Sequence, residues 1–104
     1  CHKEAHILTS ECGAPQFFNS GINLMPISTN DGKLNANLIN NFLENNTDKN
    51  IVGVSVSQLS ENGTCYSIES LKNIGELVDQ FLCSKCKSKN FELSESPSPV
   101  PLLL

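Results

Sequence analysis

The sequence has no arginine and no tryptophan, and it contains a single tyrosine and a single methionine in 104 residues. All seven cationic side chains are therefore lysines, and the formal net charge is −4. A mildly acidic chain without a basic stripe or interleaved aromatic residues is not expected to bind nucleic acid. The absence of arginine also removes the forked guanidinium group that commonly binds a substrate carboxylate in two places.

Long apolar runs are missing as well. A membrane-spanning helix needs roughly twenty consecutive apolar residues, and the closing Leu102, Leu103 and Leu104 are far too few. We therefore expect no membrane partner for this chain.

The five cysteines are an odd number, which argues against a complete disulfide scaffold. Cys12 and Cys65 also lie in segments that are predicted to be regular structure. We expect reduced thiols in a cytoplasmic setting. Cys83 and Cys86 are spaced as half of a zinc site or as a redox pair, but a closed zinc site needs two more ligands. No metal site is predicted.

Two segments are predicted to be strands, with a helix between them. Residues 22–27 form a short apolar run before a turn at 29–32, and residues 51–56 are largely β-branched, with apolar or small side chains on both faces. Between them, the apolar side chains of residues 34–43 recur on one helical face. Because strand, helix and strand follow in this order, a right-handed parallel crossover is favoured. The predicted fold class is α/β, built from parallel βαβ units.

Two further helices flank this unit. Thr9 or Ser10 is predicted to cap a short helix that buries Phe17 and Phe18, and Ser67 is predicted to cap a longer one with apolar residues at helical spacing. Residues 84–104 are rich in Ser, Lys, Glu and Pro, a composition that disfavours continuous regular structure. We therefore predict a partial domain over residues 1–83 and a disordered tail over residues 84–104.

His6 stands at the head of the most informative pattern. Glu11, Gly13 and Ala14 follow it, and much later a Glu-x-Gly-Thr-x-Tyr-Ser segment at residues 61–67 precedes the last predicted helix. In this order, over roughly residues 1–81, the pattern resembles the threonine aldolases and aromatic amino acid β-eliminating lyases, which use pyridoxal 5′-phosphate and have fold type I. The resemblance implies an internal fragment from the middle of a transferase-like large domain that binds the cofactor.

The resemblance also implies roles for particular residues. His6 would lie against the face of the pyridoxal ring, while Glu61 and Thr64 would be close to the substrate. The parent enzyme would act in amino acid metabolism, cleaving a small β-hydroxy amino acid to glycine and an aldehyde, and it would be a homo-oligomer. The cofactor would provide the electron sink for this reaction.

The same family needs a lysine for the Schiff base, an aspartate for the pyridine nitrogen and an arginine for the substrate carboxylate. The family places all three after the third helix, and the sequence after Phe81 does not match that segment. Whether this chain is an enzyme is therefore left open, and we expect it to be inactive alone.

Other interpretations of these residues follow from local chemistry. His6 is also compatible with an ordinary loop histidine, Glu11 with a carboxylate that interacts with a helix dipole, and Thr64 with a plain Asn-Gly-Thr turn. Two other functions stay open at this point. The chain is compatible with a non-catalytic α/β interaction module, or with a small thiol or zinc protein built on Cys83 and Cys86.

Overall fold

Four helices of unequal length form the regular structure of residues 1–86, the part of the chain whose backbone the computed structural model describes. Side chains are described up to residue 84. The helices are α1 (His6–Thr9), α2 (Ala14–Phe18), α3 (Ala36–Asn45) and α4 (Ile68–Cys86). The first two have only four and five residues, whereas α4 has 19.

Helix α3 confirms the helix that was predicted between the two apolar runs. Its N-cap is Asn35, whose side-chain oxygen accepts the backbone N–H of Leu38 at 2.9 Å. Such a cap satisfies one of the N–H groups that the first helical turn leaves unpaired. On the inner face, Ile39 is 1% exposed and Leu43 is buried.

Helix α4 begins as predicted, because the Ser67 hydroxyl accepts the backbone N–H of Ser70 at 3.1 Å. Its apolar face packs against α3, and Ile74 and Val78 are buried there. The first apolar residue, Ile68, is instead 75% exposed. The buried core residues come from both helices and from the segments beside them: Leu34, Ile39, Leu43, Val56, Tyr66, Ile74 and Val78.

The predicted strand at residues 51–56 is wrong as secondary structure. The segment nevertheless contacts the core, since Val56 is buried and Ile51 and Val54 pack against the core cluster, while Val52 is 60% exposed. However, no β-ladder runs along it in the described part of the chain. A strand is defined by pairing with a neighbouring strand, and apolar periodicity alone does not provide that neighbour.

The predicted strand at residues 22–27 is also wrong. It is reduced to one isolated parallel bridge between Ile27 and His2, with Ile27 N–H donating to the Cys1 carbonyl at 2.9 Å and Lys3 N–H donating to the Ile27 carbonyl at 3.0 Å. The amine of Cys1 also donates to the Met25 carbonyl at 3.2 Å, whereas Pro26, which faces the other way, has no N–H to donate to a neighbour on that side. Residues 1–86 contain no sheet, and the predicted α/β fold with parallel βαβ units is therefore corrected to a helical one.

The first predicted helix is shorter than predicted and has a different cap. Thr9, one of the two predicted caps, is the last residue of α1, and the N-cap of α2 is Gly13. Between α1 and α2, Cys12 and Gly13 have positive φ values of 52° and 77°, a conformation that ends a right-handed helix. Phe17 and Phe18 of α2 were predicted to be buried but are 80% and 79% exposed. They pack edge to face on each other, with ring centroids 5.0 Å apart.

His2 connects the start of the chain to a distant turn. It is buried, its Nδ1 accepts the backbone N–H of Glu4 at 3.2 Å, and its Nε2 lies 3.0 Å from the Thr29 hydroxyl. The backbone N–H of Thr29 also donates to Nε2, at 3.2 Å. This connection holds the segment that leads into α1 against residues 27–29.

The predicted boundary between a domain at 1–83 and a tail at 84–104 stays a prediction. Helix α4 runs to Cys86, and residues 87–104 lie outside the described residues.

Candidate functional site

His6 lies between two carboxylates at the start of α1. Its Nε2 is 2.8 Å from Oε1 of Glu11, and its Nδ1 is 3.3 Å from Oε1 of Glu61. The three side chains are each about half exposed, at 54%, 47% and 46% respectively. The structure therefore brings together three residues that the sequence analysis singled out separately.

Glu11 reaches His6 because the chain turns sharply after α1. The backbone N–H of Ser10 donates to the His6 carbonyl at 2.9 Å, and the positive φ values at Cys12 and Gly13 then redirect the chain. Glu11 lies in this turn and is not in the first turn of α2. The interpretation of Glu11 as a helix-dipole carboxylate is thus replaced by a direct contact with His6.

Glu61 is presented by a tight turn at residues 60–64. Gly63 N–H donates to the Ser60 carbonyl at 2.9 Å, and Ser60 N–H donates to the Thr64 carbonyl at 3.0 Å. Gly63 has a φ of 76°, which a residue without Cβ adopts at low cost. These bonds close the 60–64 turn and fix the backbone from which the Glu61 side chain projects.

Thr64 uses its hydroxyl to attach this turn to another part of the chain. It donates to the Asp31 carbonyl at 2.7 Å, and it lies 2.6 Å from the Ser60 hydroxyl. Since the Thr64 proton goes to Asp31, Ser60 is the donor in the second contact. The observed partners of Thr64 are therefore structural ones, and its predicted proximity to substrate stays a prediction.

The contacts of His6 involve the two nitrogens, which lie in the ring plane. A carboxylate only accepts hydrogen bonds, so the imidazolium form, with a proton on each nitrogen, can donate to Glu11 and Glu61 at once. Contacts of this kind orient the ring and leave its two faces for packing against another flat group.

A second set of polar groups surrounds an open groove of about 240 Å³ near the start of α3 and α4. Tyr66, which is buried, accepts the backbone N–H of Leu34 through its hydroxyl at 2.7 Å. Burial raises the pKa of the Tyr66 phenol above its ordinary value, and the nearby Asp31 charge adds to this. The sequence analysis missed Tyr66, although a lone tyrosine beside an apolar periodic helix indicates a buried hydroxyl in need of a partner.

Asp31 and Lys33 form the charged edge of this groove. The backbone N–H of Lys33 donates to the Asp31 carboxylate at 3.1 Å and lowers the pKa of that carboxyl, with smaller contributions from the Thr29 hydroxyl and the Lys33 charge. The Lys33 ammonium donates to the Cys65 carbonyl at 3.1 Å. The Asp31 carboxylate is therefore tied to the turn that precedes α3, and the Lys33 ammonium to the segment that precedes α4.

The residues present fit one wall of a pyridoxal phosphate site. His6 suits the face of the cofactor ring because it is half exposed and held at its edge. The pocket lined by His2, Ala5 and Glu61 has a volume of about 10 Å³, which is near the lower limit for one water molecule. This pocket is therefore too small for the cofactor.

The described residues contain no group of three or more His, Cys, Asp or Glu side chains arranged to hold a metal ion. Cys83 is exposed, whereas the side chain of Cys86 lies outside the described part of the chain. The alternative based on this pair thus stays a prediction. Among the described helices, none is both long and apolar enough to cross a membrane.

Comparison with known proteins identifies the family. Residues 1–81 match the family model of the β-eliminating lyases. Because this match covers most of the chain, the chain belongs to the β-eliminating lyase family, and the resemblance predicted from the sequence is confirmed.

Two curated relatives have the same name. The chain is 36% identical over 77 residues to the low specificity L-threonine aldolase of Pseudomonas aeruginosa, and 34% identical over 77 residues to the low specificity L-threonine aldolase of a Pseudomonas species. Each comparison covers 71% of this chain and 22% of the relative. The chain thus spans about a fifth of the length of the curated relatives it matches.

Proposed function

We propose that this chain provides the His6-bearing wall of a pyridoxal phosphate-dependent lyase that acts on a small β-hydroxy amino acid. The observation that carries the proposal is the pair of carboxylate contacts at the edge of His6, which orient the ring while 54% of the side chain stays exposed. Membership of the β-eliminating lyase family and similarity to two threonine aldolases support the choice of cofactor and substrate class.

The residues of this chain have a limited part in such a reaction. Bound pyridoxal phosphate would supply the electron sink. His6 would pack against the cofactor ring, and Glu11 and Glu61 would hold His6 at its two nitrogens. Glu61 would lie near the substrate, as would Thr64 through the 60–64 turn.

The chain is proposed to be inactive alone. It has no arginine for a substrate carboxylate, and Lys33, the lysine with a described long-range contact, donates to a backbone carbonyl. A homo-oligomeric parent and a cytoplasmic location belong to the same proposal, and the free state of the four described cysteines supports the second.

One experiment tests the inactivity of the isolated chain. The purified chain is incubated with pyridoxal phosphate, reduced with borohydride and digested, and its peptides are analysed by mass spectrometry. We expect no stoichiometric attachment to a single lysine and no formation of glycine from L-threonine. Specific trapping on one lysine would show that the chain binds the cofactor covalently and would contradict this part of the proposal.

A chimera tests the role of His6. Residues 1–81 replace the matched segment of the Pseudomonas aeruginosa aldolase, and the His6→Ala chimera is compared with the His6→Phe chimera. We expect the alanine variant to lose at least about tenfold in kcat/KM, or about 1.4 kcal/mol. The phenylalanine variant should keep more of the cofactor affinity because it retains a flat ring. Equal cofactor affinity and activity in a folded His6→Ala chimera would refute the role of His6.

A further inference from the structure

We propose that the 60–64 turn is a positioning element for His6, in which Thr64 anchors the turn and Glu61 fixes the ring together with Glu11. The inference deepens the proposed function and rests on it for one point, the packing of the His6 ring against the cofactor. The geometry itself concerns residues of this chain alone. Glu61 and Thr64 are assigned here as positioning residues, distinct from groups that touch the reacting atoms.

The first step in the argument is the attachment of the turn. Ser60 accepts the backbone N–H of Thr64 at 3.1 Å and donates to the Thr64 hydroxyl, which in turn donates to the Asp31 carbonyl at 2.7 Å. This relay spans 33 positions between Thr64 and Asp31. It ties the turn to a segment that is remote from it in the sequence.

The second step is close packing at Gly32. A Cβ added to Gly32 would lie 3.0 Å from the Asn62 side-chain nitrogen and 3.2 Å from the Ser60 hydroxyl. Gly32 is itself buried. The 60–64 turn therefore lies directly on the 31–32 backbone, which limits the positions that Glu61 can take.

The third step is the meeting of two independent segments at one ring. Glu11 comes from the turn after α1, while Glu61 comes from the anchored 60–64 turn, and they contact different nitrogens of His6. One contact alone leaves the ring free to swing about it. Two contacts on opposite parts of the ring edge define its plane.

The exposure of these side chains separates a positioning role from a structural one. Ion pairs between half-exposed groups contribute little to the stability of a folded chain. Removing the Glu61 carboxylate should therefore change the order of the His6 ring strongly and the unfolding midpoint of the chain very little.

The test measures ring order by NMR in the full 104-residue chain. Relaxation of the ¹³C–¹H bonds of the His6 imidazole is recorded for the parent chain, Glu61→Ala, Glu61→Gln, Thr64→Val and Thr64→Ser. The matched control is Glu69→Ala, which removes an exposed carboxylate from the first turn of α4. Backbone amide spectra and urea midpoints are recorded for every variant.

We expect the ring order parameter to fall from about 0.85 to below about 0.6 in Glu61→Ala and in Thr64→Val. Glu61→Gln and Thr64→Ser should retain order above about 0.6, because each keeps the accepting or donating oxygen. Glu69→Ala should match the parent chain. If Thr64→Val does not fold, the outcome is decided by Glu61→Ala, compared with Glu61→Gln and Glu69→Ala.

An ordered ring in a natively folded Glu61→Ala variant would overturn the inference, as would an equal loss of order in Glu69→Ala. The measurement uses no cofactor, so its failure is distinct from failure of the proposed function. If the His6 ring is ordered in the chain but the activity of the chimera does not depend on His6, the proposed function is refuted. The positioning element then remains intact.

Discussion

The helix pair α3 and α4 and the N-terminal segment at residues 1–27 are stabilised in different ways. The pair is held by apolar burial, with Ile39 at 1% exposure between the two helices. The N-terminal segment instead exposes Phe17 and Phe18. Backbone bonds to Ile27 close this segment on itself, and His2 joins it to Thr29 by polar contacts. The difference shows that His6, on which the candidate site is built, lies in the region with little core of its own.

The largest expected effect is in the core of the helix pair. Ile39→Ala should destabilise the chain by about 2–5 kcal/mol, because it removes a fully buried side chain and leaves a cavity. The matched change in the N-terminal segment, Phe17→Ala, should cost less than about 0.5 kcal/mol because that ring is 80% exposed. Urea unfolding followed by circular dichroism measures both. Equal costs at the two positions would show that the contrast between the two regions is wrong.

A smaller effect is expected at Tyr66, in the core beside the helix pair. Tyr66→Phe leaves the buried N–H of Leu34 without its acceptor, at a cost of about 1–3 kcal/mol at neutral pH. Comparison of urea midpoints at neutral pH measures this cost. An unchanged midpoint would show that water or another group replaces the phenol.

The same variant tests the pH dependence. Burial raises the pKa of Tyr66 in the folded chain, so its contribution to stability is fully present below the unfolded pKa of about 10. That contribution is lost as the pH rises from about 10 through the raised pKa of Tyr66 in the folded chain, because the phenol of the unfolded chain ionises first. Stability of the parent chain relative to Tyr66→Phe should therefore decline above about pH 10. A constant difference between the two would contradict the raised pKa.

The smallest expected effect is the difference in stability between alanine substitutions at two glycines of equal φ. Gly32 and Gly13 both have a φ of 77°, but a Cβ meets nearby atoms only at Gly32, and none within 4 Å at Gly13. Gly13→Ala should cost about 1–2 kcal/mol from the backbone conformation. Gly32→Ala should cost roughly 1 kcal/mol more, from the contacts with Asn62 and Ser60. Identical urea midpoints would show that the 60–64 turn moves aside freely.

Much of the helix pair was predictable because its signals are local. Asn35 and Ser67 act as caps, and the apolar spacing of residues 34–43 and of α4 predicts the faces that are buried. The two strands were not predictable in the same way. Apolar residues at 22–27 and 51–56 indicate burial, whereas a strand also needs a paired neighbour, which the described chain does not provide.

The candidate site was predictable in its parts and not in its arrangement. The family pattern singled out His6, Glu11 and Glu61, but it gave no reason for the two carboxylates to contact opposite nitrogens of one ring. That depends on the turn after α1 and on the Thr64 bond to Asp31, and the second of these joins residues 33 positions apart. His2 and Tyr66 were missed because their partners are also distant in the sequence.

The sequence by itself determined the family and the positions of the two long helices, because motif order, capping residues and helical periodicity are properties of neighbouring residues. Only the tertiary structure decided that apolar segments would remain outside a sheet, that Phe17 and Phe18 would face outward, and that two carboxylates would converge on His6. The physical reason is that burial, pairing and convergence depend on which distant segments meet, and this is fixed when the chain folds.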